Sequence, residues 1–310
     1  MTTAIMTCSK ERLDDKIRIF SKFGDSGKGT ITRLSLSSEE IEAREEFCKR
    51  CRNLGMEIKT DDMANIYATI KGNKDLPSIM IGSHIDSIEN GCNNDGLLGV
   101  LTALEIVETI VTENIEHKHP ITVVIWTNKE GARFEPAMMS SGVISGKFQR
   151  DVILSAVDSD GITFKEALEA SGYMGEEENR LNSKNCVAFI EVYRDKQYIL
   201  YNDKVDIGVA EGKHGVFNYS SEYIKIIEKN ANEYGYYCKE IHNSYGYDAQ
   251  FISEIVPTAL IFIPCKKEAG RFKENCVKLN DWVKCTNVIL RTIIDIDKNY
   301  NILIPLFKDS

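Results

Sequence analysis

Four short apolar runs, separated by helical patterns, constrain this chain more than any other feature. They lie at residues 79–81, 121–126, 187–192 and 258–263. Each is too short for a helix, and most are rich in β-branched residues, the pattern of strands buried on both faces. Helical patterns cover 11–20, 97–110, 222–231 and 280–294. Ser37-x-x-Glu40 and Thr163-x-x-Glu166 have the spacing of capping boxes, and the first opens a helix that stops at Gly55. Residues 56–70 alternate enough for a strand or hairpin edge. The alternation of strand and helix predicts an α/β fold, a mostly parallel sheet sandwiched by helices.

Composition narrows the class. A chain of 310 residues with 43% hydrophobic and 27% charged residues can bury the core of one large domain or two modest ones. The net charge of −9 argues against nucleic acid and against an anionic membrane as partner. The first sixteen residues contain no long apolar run, so they read as neither a signal peptide nor a membrane span. Nine cysteines, an odd number, then suggest reduced thiols and a cytoplasmic location. Cys48 and Cys51 form a C-x-x-C, but mid-helix and without a second pair, which favours structural thiols.

In open parallel sheets, ligands bind beyond the carboxyl ends of the strands. His84, Glu130, Tyr193 and Arg271 each follow or end one of the four predicted strands. His84-x-Asp86 pairs an imidazole with the kind of carboxylate that often holds the second nitrogen of a metal-bound histidine. Asp95 and Glu130 are further ligand types suited to zinc or manganese. Residue type alone leaves alternatives open. His84 also fits a structural histidine, and Asp95 fits a helix cap.

The motifs taken together are more specific. Gly82-Ser83-His84-Ile85-Asp86-Ser87, Asn90-Gly91, Asp95-Gly96 and Gly99-Val100 resemble the signature loop of the M20 metallopeptidase clan. Residues 127–134, Pro136-Ala137-Met138-Met139 and Ser141-Gly142 resemble the hydantoinase/carbamoylase branch, which includes N-carbamoyl-amino-acid hydrolases and allantoate amidohydrolases. Ala188-Phe189-Ile190-Glu191-Val192, Asp206-Ile207-Gly208-Val209, Gly246-Tyr247-Asp248-Ala249 and residues 257–264 resemble later blocks of that branch. The resemblance covers nearly all of residues 11–295. It implies a two-metal site that activates water against an amide or ureido carbon, with a glutamate as general base. It assigns His84, Asp95 and Glu130 to the metal, Asp95 as the bridging ligand, and Asp86 to the support of His84.

Several positions depart from the family pattern. Lys129 stands at the catalytic glutamate, and Tyr193 and Arg271 stand at metal histidines. Tyr247 replaces the histidine of a Gly-His-Asp-Ala block. The family's lid and dimerisation domain, expected after residue 209, is missing near 210–221. The expectation is therefore one catalytic domain over 1–310, monomeric or dimeric through another face, holding one zinc or manganese ion or none. Its partner would be a small molecule.

Three readings of function stay open. One is a pseudoenzyme that acts by binding. A second is a repurposed cleft in which Lys129, with its pKa lowered among other cations, Asp86 and Tyr193 take catalytic roles. There Lys196, Tyr247, Asp248 and Arg271 would bind a carboxylate or phosphate ligand. Cys92 is a weaker nucleophile candidate. The third is a single-metal amidohydrolase whose ion is held by His84, Asp95 and Glu130; His214 is a candidate substitute ligand but better fits a surface turn histidine. The inherited reaction class is hydrolysis or transfer at a non-peptide C–N bond of a small amino-acid-derived amide or ureide.

Overall fold

The structure is a computed structural model that describes residues 6–92, 95–211, 218–242, 246–266 and 277–307, with side chains described as far as residue 300. Arg271 and His214 lie outside the described residues, as do 212–217, where the connection expected to replace the lid falls.

Eight strands form one mixed sheet among the described residues. In chain order they are β1 (Glu57–Thr60), β2 (Ile66–Ile70), β3 (Ser78–His84), β4 (Ile121–Trp126), β5 (Cys186–Arg194), β6 (Ile207–Ala210), β7 (Cys238–Ile241) and β8 (Thr258–Ile263). Their spatial order is β1-β2-β4-β3-β5-β8-β6-β7. The centre, β4-β3-β5-β8, is parallel. The four apolar runs of the sequence are these four strands, and every residue in β3, β4, β5 and β8 is buried. Antiparallel β1-β2 extends one edge. The pair β6-β7 extends the other, with β6 antiparallel to β8.

Helix Leu97–Thr112 packs on β3, β4 and β5 and on helix Leu279–Phe307. Thirteen of its residues are buried. At roughly 1.5–3 kcal/mol for each fully buried aliphatic side chain, this helix is a principal contributor to the core. It can lie this close because Gly99 has no side chain. A Cβ there would stand 2.7 Å from both the Ser83 Cβ and the Val192 carbonyl oxygen. No helix among the described residues is long and apolar enough to cross a membrane.

The capping predictions fare differently. Thr163 and Glu166 make a complete reciprocal box. Ser37 caps helix Ser38–Asn53 by accepting from the Glu40 amide. The Glu40 carboxylate, however, turns to the Leu36 amide and to Arg44, so that box is only half formed. A buried arginine competes successfully for a buried carboxylate, because leaving either unpaired is costly.

Candidate functional site

Adjacent parallel strands bring their carboxyl ends to one rim, and the register places the chemistry there. His84 ends β3 beside Trp126, which ends β4. Lys129 and Glu130 follow β4 on a turn in which Asn128 has φ 56°, a left-handed conformation that asparagine tolerates. Tyr193 and Arg194 end β5.

His84 is fully buried. Its Nδ1 lies 3.1 Å from Asp86 Oδ1 and 3.0 Å from the Asp86 carbonyl. Asp86 also accepts from the backbone amides of Lys129 (3.2 Å) and Glu130 (3.0 Å), tying the β3 loop to the β4 loop. Burial alone would raise the Asp86 pKa, but His84 and these amides outweigh it and hold the carboxyl below its usual range. On the other side of the ring, Nε2 lies 2.9 Å from the Tyr193 hydroxyl. The rings of His84 and Tyr193 stack with centres 5.8 Å apart. Gly96 makes room for this imidazole, because a Cβ at Gly96 would stand 2.1 Å from the ring.

The Tyr193 hydroxyl is the hub of the cluster. It accepts from Lys129 Nζ at 2.7 Å and lies 2.9 Å from Glu130 Oε1. Lys129 Nζ also donates to Glu130 Oε1 at 3.0 Å. The ammonium sits 4.6 Å from the centre of the Tyr193 ring and 5.7 Å from that of Tyr247, and the two rings meet edge to face. Burial alone would lower the Lys129 pKa, but the Glu130 and Asp95 carboxylates outweigh it and hold the ammonium above its usual value. This is the reverse of the lowering expected for a lysine among cations. Glu130 is held below its usual range, with burial opposed by Lys129 and His84. Tyr193 is pushed far above the usual range of a phenol, first by burial and then by the charges of Asp95 and Glu130.

Asp95 precedes helix Leu97–Thr112 but does not cap it; that helix has no side-chain cap. Its carboxylate is held instead by Arg194 Nε at 3.1 Å and Lys196 Nζ at 3.0 Å. Burial opposes its ionisation, yet Arg194, Lys196 and Lys129 hold its pKa well below the usual range. Lys196 is 22% exposed against 6% for Lys129, so it lies nearer the mouth.

Two further carboxyls lie beneath the rim. Glu191 accepts from the Ser83 hydroxyl (3.0 Å) and the Ala249 amide (2.7 Å). Asp248 accepts from the Ser141 hydroxyl at 2.5 Å. Burial pushes Glu191 up to about 7, and burial together with the Glu191 charge pushes Asp248 up to about 7. Asp248 Oδ2 has no hydrogen-bond partner among the described residues, which suits a carboxyl that keeps a proton.

The structure thus gathers His84, Asp86, Asp95, Lys129, Glu130, Tyr193, Lys196 and Tyr247 at one rim, with Asp248 beneath it. Sequence reasoning missed Arg194 and Glu191. For Glu191 the available signal was a charge inside the otherwise apolar run 187–192; Arg194 lies two residues beyond that run. Cys92 is half-buried on the loop before Asp95. Cys48 and Cys51 are buried in helix Ser38–Asn53.

The predicted metal ligands do not fit a metal ion. Each is already engaged by a cation or a hydroxyl: Lys129 at Glu130, Tyr193 at His84 Nε2, and Arg194 with Lys196 at Asp95. Among the described residues, no three histidine, cysteine, aspartate or glutamate side chains are grouped so as to hold an ion.

The family model for peptidase family M20/M25/M40 matches residues 80–295. An N-carbamoyl-L-amino-acid amidohydrolase of Rhizobium meliloti is 34% identical over 208 residues, 67% of this chain and 50% of that protein. The allantoate amidohydrolase of Escherichia coli (strain K12) is 27% identical over 70% of this chain and 53% of its own length. The chain therefore spans about half the length of these curated relatives. The crystal structure of a hydantoinase/carbamoylase family amidase from Burkholderia ambifaria aligns with a TM-score of 0.85 at 22% identity. That alignment covers 94% of this chain and 97% of that one.

Proposed function

This chain belongs to peptidase family M20/M25/M40, and from that premise we propose that its cleft binds a small amino-acid-derived amide or ureide through the ligand's carboxylate, without two-metal hydrolysis. The observation that carries this reading is the charge pattern of the rim. Three cations, Lys129, Arg194 and Lys196, face two carboxylates, Asp95 and Glu130. Lys196 is the most exposed of the three, and an ammonium nearest the mouth suits an anionic ligand. The ligand class follows the relatives, whose names specify N-carbamoyl amino acids and allantoate.

The chemistry of the rim favours binding over catalysis. A lysine held above its usual pKa stays protonated at neutral pH and cannot take a proton from water. A tyrosine held far above its usual pKa is no better as a base. Glu130 is ionised but occupied by Lys129 and Tyr193.

The test is calorimetric titration with N-carbamoyl-L-amino acids and allantoate, beside analogues in which the carboxylate is replaced by a neutral amide. Release of amine or ammonia is followed in the same samples. The expected result is saturable, carboxylate-dependent binding that weakens about tenfold in Lys196→Met, with no release. Absence of binding to every carboxylate in the panel, or metal-dependent release, overturns the reading.

A further inference from the structure

A metal ion among carboxylates and an imidazole does two things besides chemistry. It cancels their charge, and it occupies the lone pairs that burial has stripped of water. In this chain side chains do both. Lys129 Nζ bonds to Glu130 Oε1 and the Tyr193 hydroxyl, and its remaining surface is walled by the rings of Tyr193 and Tyr247. The same hydroxyl reaches His84 Nε2, the nitrogen turned away from Asp86. Arg194 Nε and Lys196 Nζ take one oxygen each of Asp95.

We propose that Lys129 is a built-in replacement for one cation of the family site and the Arg194–Lys196 pair for the other, so that the folded chain takes up no divalent metal. The replacement at Lys129 requires the change at Tyr193. A histidine there would present a second imidazole to the ammonium, whereas a phenol supplies an oxygen that accepts from lysine and also reaches His84. The changes at Lys129 and Tyr193 thus act with Arg194 and Lys196 as one substitution of side-chain cations for ions. This inference does not rest on the proposed ligand. Failure of every carboxylate to bind would leave it standing, and zinc uptake would sink it while leaving ligand binding intact.

Two sets of variants test it. The first is Lys129→Glu/Tyr193→His/Arg194→Ile, which restores the family's glutamate and metal histidine and removes one of the cations on Asp95. After dialysis against excess zinc, the parent chain is expected to retain substoichiometric zinc by elemental mass spectrometry. The triple variant is expected to retain at least one ion per chain and to melt higher with zinc than with EDTA. Because the triple variant can fail to fold, the second set keeps the native cluster nearly intact. Lys129→Met leaves the half-buried Glu130 in the field of Asp95 without its cation, and should lower the melting temperature by about 5 °C or more. Lys129→Met/Glu130→Gln should recover most of that loss. Stoichiometric zinc in the parent chain overturns the proposal. So does a Lys129→Met variant as stable as the parent, or one that Glu130→Gln fails to rescue.

Discussion

The Lys129 ammonium donates to the Tyr193 hydroxyl at 2.7 Å and lies 4.6 Å from the centre of the same ring. Lysine and tyrosine here are reciprocal. The phenol gives a buried cation both an oxygen and a π face, and the cation justifies a hydroxyl in a fully buried position.

That reciprocity makes the hydroxyl the sensitive atom. Tyr193→Phe keeps the ring and the stacking on His84 but deprives Lys129, Glu130 and His84 Nε2 of a shared partner. A loss of about 1–3 kcal/mol is expected, the cost of leaving buried polar groups unsatisfied. The midpoint of urea unfolding measures it. A variant as stable as the parent would mean that the hydroxyl carries none of the cluster.

Gly96→Ala isolates the space around His84. Gly96 has φ −70°, so alanine meets no backbone strain, and near a helix start it would ordinarily be tolerated. Its Cβ would nevertheless stand 2.1 Å from the imidazole, which Tyr193 and Asp86 hold from either side. The expected cost is about 1–3 kcal/mol, typical of overpacking. A neutral or stabilising effect in the same urea experiment would show that the imidazole can move aside.

The carboxyl pair beneath the rim gives a pH dependence with a definite sign. Glu191 and Asp248 are raised to about 7 in the folded chain, whereas unfolded carboxyls titrate near pH 4. Between those values the folded chain holds protons that the unfolded chain has released. This contribution is full below about pH 4 and is lost as pH rises through 7. Asp86, Asp95 and Glu130 are lowered, so their stabilisation is lost only on further acidification. Unfolding midpoints should therefore be higher at pH 5 than at pH 7, and Glu191→Gln should flatten the difference. Equal midpoints in the parent would contradict the assignment.

The parallel core was legible in the sequence because its strands are continuous apolar runs, and buried strands have little freedom to be anything else. The edge pair was not. β7 reads Cys-Lys-Glu-Ile and is mostly half-exposed, so only pairing with β6 makes it a strand. The rim residues could be named because strand ends and short motifs mark them. Their partners could not. That Asp95 closes on Arg194 and Lys196 is a contact across about a hundred residues of sequence, set by the approach of the helix at 97–112 to β5. The direction of the Lys129 pKa was misread for the same reason, because the nearby carboxylates decide it.

The most direct measurement is anomalous diffraction at the zinc edge from crystals of the parent chain grown with excess zinc. The account predicts no peak in the space bounded by His84 Nε2, Glu130, Asp95 and Tyr193, with density for the Lys129 ammonium in bonding distance of Glu130 and the Tyr193 hydroxyl. A zinc peak bonded to His84 Nε2 and Glu130, with Lys129 turned away, would contradict it.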